Sequence, residues 1–146
     1  MEKYPDCFPE NFETDILPKE ARKENKAVYR IIKTGEIDRN SFIGTYEEMI
    51  RGMIPYKKRM NMNDPGLYST SCNIEYSEAE YALRMFMRHY PRPIIAKGET
   101  EGTCGPCQLT SEREERTDTH VDWWIFEEAK PQVCFTEVVD NESDIF

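Results

Sequence analysis

Gly66-Leu67-Tyr68-Ser69-Thr70-Ser71, followed shortly by Ser77-Glu78-Ala79-Glu80, is the stretch that organises this chain. Leu67 to Ser71 reads as a short strand ending in small hydroxyl residues. Ser77 with Glu80 three positions later is the pattern of a capping box, which opens a helix by satisfying orphan backbone donors. Beyond it, Ala79, Ala82, Leu83, Phe86 and Tyr90 recur at spacings of three and four, the apolar stripe of a core-facing helix. Pro91 and Pro93 stop it. Strand-to-helix junctions of this kind are where some enzymes hold a nucleotide.

Working outward, Ala27-Val28-Tyr29-Arg30-Ile31-Ile32 is a β-rich run ended by Thr34-Gly35. Thr45-Tyr46-Glu47-Glu48 predicts a further capping box, with Thr45 as N-cap and a helix to about Gly52. Lys19 to Lys26 is charged and predicts one or two helical turns. Residues 1–18 hold Pro5, Pro9 and Pro18 and read as an extended arm packed through Tyr4, Phe8 and Phe12. Downstream, Pro93 to Lys97 predicts a short buried strand, and Glu99 to Asp118 a long polar loop. Val121 to Phe126 and Gln132 to Val139 are β-prone, and Glu127 to Pro131 between them predicts a hairpin. This order predicts an α+β fold: a mainly antiparallel sheet with two or three helices in one compact domain. The expected organisation is an arm over 1–26, the domain over 27–139 and an acidic tail over 140–146.

The 146 residues allow one domain with a real core. The net charge of -9, from 28 acidic and 19 basic side chains, argues against long-range attraction to nucleic-acid phosphate. It suits a protein that docks on a basic partner. No apolar run of about 18 residues is present, so no membrane-spanning helix is expected. Met1 to Asp6 lacks the basic-then-apolar order of a signal peptide, so the expected location is cytoplasmic. Five cysteines, an odd number, favour free thiols or a metal site over a disulfide framework.

Cys104-Gly105-Pro106-Cys107 has half the ligand spacing of a zinc site, with His120, Cys72 and Cys134 as candidate completions. It also resembles the thioredoxin motif, in which a helix N-terminus lowers the first thiol's pKa. The bland reading is a turn with two exposed thiols. His120 and Asp122 stand two apart, on one face if the segment is a strand, which suits acid–base work or holding a ligand hydroxyl. A surface His-Asp pair is the plain alternative. Trp123 and Trp124 alternate faces, so one is free to line a cleft while the other packs. Arg30, inside an apolar run, needs a carboxylate, a bound anion or an outlet to water. Ser111 to Arg116 reads as a solvated mixed-charge segment, or as a loop that lids a site.

Three of these pieces, in order, resemble the ADP-ribosyltransferase-like proteins, including the RES-domain toxins and the poly(ADP-ribose) polymerase-like catalytic core. Val28-Tyr29-Arg30 resembles the first-strand motif. Ser69-Thr70-Ser71 resembles the serine-threonine-serine strand, and Gly66-Leu67-Tyr68 the tyrosine segment of the polymerase branch. Asp122-Trp123-Trp124-Ile125-Phe126 is similar to the last motif, with Asp122 standing where the family has glutamate. About 40 residues separate Arg30 from the serine motif, and about 50 more separate that motif from Asp122. The resemblance implies NAD as substrate, and a transferase or NAD glycohydrolase acting on a protein or on free NAD. Asp122 would stabilise the cationic ribose, Arg30 would pair with a nucleotide oxygen, and Ser69 would brace the carboxylate. Tyr68, Ser71, Trp123 and His120 would contact the nucleotide. Two other classes stay open. One is a small acidic inhibitor that blocks a basic surface of a larger host machine. The other is a zinc-stabilised module built on Cys104 and Cys107.

Overall fold

The computed structural model describes residues 2–139; the expected acidic tail from Asp140 lies outside them. The fold is α+β. Six antiparallel strands form one sheet: β1 (Ala27–Ile32), β2 (Thr70–Asn73), β3 (Ile94–Glu99), β4 (Cys107–Leu109), β5 (His120–Trp123) and β6 (Thr136–Glu137). Their order across the sheet is β4-β5-β2-β1-β3-β6. The helices are α1 (Thr45–Ile50) and α2 (Tyr76–Phe86), with a π-helical turn at Phe12–Ile16, so the arm is not extended throughout as expected, and 3-10 turns along the rest of the chain.

Period-2 alternation splits the sheet into two chemically different faces. Val28, Ile32, Cys72, Ala96, Cys107, Val121 and Trp123 point one way and form the main core with Phe42, Ile125 and Phe135. On the other face α2 covers β1 and its neighbours, with Ala79 fully buried and Tyr76 edge-on to Tyr29. A second core lies under the arm, where Tyr4, Phe8 and Phe12 pack against Tyr68 and Trp124. The arm is thus fastened by aromatic burial, as its composition predicts.

Several local expectations are corrected. α1 is capped by Gly44, with Thr45 its first helical residue. Gly44 lies against the carbonyls of Tyr68 and Ser69, where any β-carbon would collide. α2 starts after Glu75 with no side-chain cap, and Ser77 lies inside its first turn. Its opening is fixed by tertiary bonds instead: Glu78 accepts from the Thr119 backbone N–H (2.9 Å) and Asn73 Nδ2 (3.1 Å). Leu67 ends a 3-10 turn, so the strand starts only at Thr70. Residues 19–26 are not helical. Arg22 exchanges backbone bonds with Cys107, and the Lys26 carbonyl accepts from the Thr100 N–H while the Lys26 N–H donates to the Thr100 hydroxyl, which draws the segment out along the sheet.

The predicted hairpin is also replaced. β5 pairs with β2 and β4, while β6 pairs with β3 at the far edge. After Trp123 the chain runs on beside residues 104–106, with Trp124 N–H donating to the Pro106 carbonyl and Phe126 N–H to that of Cys104. Those apolar residues satisfy their backbone there, and all three of Trp124, Ile125 and Phe126 are buried. The expected long loop over 99–118 therefore contains β4. Gly105 makes the crossing, with φ of 149° and no room for a β-carbon, which would collide with the Trp124 carbonyl.

Candidate functional site

The face opposite the main core is polar over β4, β5 and β2. Gln108, Asp122 and Ser71 lie side by side in register, as do His120 and Asn73. Asp122 is only 1% exposed and is met from three sides. Ser69 donates to its Oδ1 (2.5 Å), and Thr110 donates to its Oδ2 (2.7 Å). Arg113 folds back from the turn at Thr110–Glu112, placing Nη2 2.7 Å from the same Oδ2 in an ion pair. Arg113 is itself held, with Nη1 donating to Gln108 Oε1 (2.9 Å) and its guanidinium 5.7 Å from the Trp124 ring centre.

Thr110 also meets His120 Nδ1 at 2.6 Å. A hydroxyl has one proton, and Thr110 gives it to Oδ2, an oxygen already facing Arg113. The threonine must therefore accept from His120, which puts the imidazole proton on Nδ1 and leaves Nε2 as the basic nitrogen. Burial is the main influence on His120 and lowers its pKa from the ordinary value; Asp122 opposes this, and Arg116 reinforces it.

Arg30 belongs to a different place. Register puts it on the Val28–Ile32 face, opposite to Asp122. β1 and β2 meet at Tyr29 and Asn73 and then part. The guanidinium fills the split: Nη1 donates to the Ser71 carbonyl (2.8 Å), and Nε and Nη2 to that of Ser41 (3.1 and 3.0 Å). Its partners are backbone oxygens, an outcome the sequence reading did not include. Burial pushes its pKa down.

No protein-family model, curated protein or solved structure matches this chain.

Of the residues nominated from sequence, the structure therefore brings together Ser69, Asp122 and, through Thr110, His120. Ser71 lies beside them and is exposed. Arg30 is apart. Trp123, fully buried, donates Nε1–H to the Gly105 carbonyl, and Tyr68, 2% exposed, lies among the arm's aromatics with its hydroxyl on the Met62 carbonyl. Neither ring has a free face for a ligand. Cys104 and Cys107 are both buried, contrary to the exposed-turn reading, and burial raises both thiol pKa values. The motif runs from a single turn into β4, so no helix N-terminus stands over it to lower them. Among the described residues, no three His, Cys, Asp or Glu side chains are grouped to hold a metal ion.

Gln108, Thr110 and Arg113 were missed. The signal for the first two is Cys107-Gln108-Leu109-Thr110, whose apolar–polar alternation mirrors His120-Val121-Asp122-Trp123 on the paired strand.

Proposed function

We propose that this is a small acidic interaction protein that acts by docking on a basic surface of a partner. The observation that supports it best is the closure of Asp122: the carboxylate nominated for chemistry has both oxygens occupied by Ser69, Thr110 and Arg113. The acidic groups that do face outward are of another kind. Glu10, Glu13, Asp15 and Glu20 stand exposed along the arm, with no ion pair among the described residues. On a chain of net charge -9 such groups favour rapid, salt-sensitive association with a cationic surface. The test is affinity isolation from the native host, then binding measurements with the purified partner across a salt series. A basic partner whose affinity falls with salt supports the reading, and is lost when Glu10, Glu13 and Asp15 are changed together to Gln. Stoichiometric release of nicotinamide from NAD would overturn it.

A second reading, an ADP-ribosyltransferase-like NAD-binding protein, is favoured by one contact. Ser69 braces the Asp122 carboxylate, as the family resemblance implies. In this reading Arg113 must swing aside to free Oδ2 for a ribose hydroxyl. Heat on NAD titration, with turnover abolished in Asp122→Ala, would support it; an absence of both would remove it.

A further inference from the structure

A cleft of about 440 Å³ opens beside Arg30, between the end of β1, the turn at residues 38–41, the segment after α1 and Tyr90. That volume lies within the range of small-molecule sites, roughly 300–1,000 Å³. Its apolar wall is Ile31, Met53, Ile54 and Tyr90. Met53 is 45% exposed, so one wall is a pliable thioether at the rim.

The charged groups of the lining decide what fits. Lys33 makes two contacts to the Glu48 carboxylate (3.2 and 3.1 Å) and lies over the rings of Phe86 and Tyr90. Glu48 is buried, and Lys33 is its partner. Asp38 accepts from the Ser41 backbone and hydroxyl. Arg30 is turned to the carbonyls of Ser41 and Ser71. The two cations and two anions of the lining thus sum to zero: Lys33 pairs with Glu48, while Arg30 and Asp38 are engaged by neutral hydrogen-bonding groups. An ion entering the cleft would give up its hydration and meet a lining with no net opposite charge. An uncharged ring would meet Tyr90, Met53, Ile54 and Ile31 and lose nothing.

We propose that this cleft is a binding site for a small uncharged aromatic molecule. None of the Asp122 cluster lines it, and it does not depend on the docking function above. A matched pair of probes tests it: N-phenyl-1-naphthylamine, which is neutral, and 8-anilinonaphthalene-1-sulfonate, the same skeleton bearing an anion. The neutral probe should gain fluorescence with saturation at a single equivalent per chain, and the sulfonate should bind about tenfold more weakly or worse. Met53→Glu and Ile54→Glu, at the rim and away from the core, should each weaken the neutral probe about tenfold with unchanged circular dichroism. Tyr81→Ser and Met87→Ser, on the exposed apolar flank of α2, should leave it unchanged. Equal or tighter binding of the sulfonate overturns the proposal. So does indifference to both rim variants, or loss of the signal in the α2 variants.

Discussion

Asp122→Asn is the most searching single change, because it removes one charge with almost no change of shape. Three contacts depend on the carboxylate: those from Ser69, Thr110 and Arg113. Asparagine keeps one acceptor oxygen, so the Ser69 bond survives. The other position becomes a donor that faces Thr110 and Arg113. Removing one member of a buried ion pair costs about 3–5 kcal/mol. The Arg113 side chain is 17% exposed, so partial solvation of the orphaned cation sets the low end, about 3 kcal/mol. In a domain of this size that is a fall in Tm of about 6–12 °C. A second readout follows from proton counting. Thr110 would now accept from the new amide and give its own proton to His120 Nδ1. The imidazole must then shift its proton to Nε2. Thermal unfolding measures the first effect, and the 15N shifts of the His120 ring measure the second. A fall in Tm below about 2 °C, with His120 still protonated at Nδ1, would refute the bond directions assigned here.

Other outcomes can be checked alongside. The lowered pKa of His120 means that the folded state binds fewer protons than the unfolded chain as pH drops through the ordinary histidine value of 6.5. Its contribution to stability is complete above pH 6.5 and is lost as pH falls from there towards the folded pKa, so Tm should drop between pH 7 and 5.5, and His120→Gln should flatten that drop. Arg30→Met strands the carbonyls of Ser41 and Ser71 in the split between β1 and β2 and should cost about 2 kcal/mol or more in urea unfolding, whatever happens to any ligand. Gly105→Ala places a β-carbon against the Trp124 carbonyl at a φ unsuited to alanine, so Tm should fall further than after alanine substitution at an exposed residue such as Thr103.

The parts of the fold legible in the sequence are those written in local pattern. β1 matches Ala27 to Ile32 residue for residue, because β-branched and aromatic residues there meet a clear stop at Thr34-Gly35. The stripe of α2 is likewise real over Ala79, Ala82, Leu83 and Phe86, of which Ala79 is buried and the others partly so; the helix ends at Phe86, ahead of the expected stop, and Tyr90 lies in the turn beyond it. What was hidden is what long-range pairing decides. The run from Val121 to Phe126 is equally good as a hairpin partner of residues 132–139 or as a central strand. Only the unpaired backbone of residues 104–107 selects the second. Arg22 and Lys26 lie in a charged segment with helical propensity, yet the free edge beside Cys107 and Thr100 outweighs it. The site was half legible for the same reason. His120 and Asp122 stand on one short strand and share a face by period alone, whereas Thr110 and Arg113 reach them only because β4 pairs with β5.

The two residues most suggestive of chemistry in the sequence, Arg30 and Asp122, share one physical origin. Each is a charge placed where a short-stranded sheet leaves polar atoms without partners. Where β1 and β2 separate, the carbonyls of Ser41 and Ser71 would be stranded, and Arg30 supplies donors to both. At the other side, the hydroxyls of Ser69 and Thr110 and the guanidinium of Arg113 converge on one spot, and Asp122 supplies the acceptors. A buried charge held by groups that it satisfies is stable in the fold without a ligand. A catalytic one keeps an open position for substrate. By that criterion the atom in this cluster with capacity left over is His120 Nε2, which takes no hydrogen bond from any described residue while its ring is held through Nδ1 by Thr110. If NAD or any other substrate does reach this face, Nε2 is where the first proton should be exchanged, and His120→Gln should then abolish turnover while leaving the Ser69–Asp122–Arg113 cluster folded.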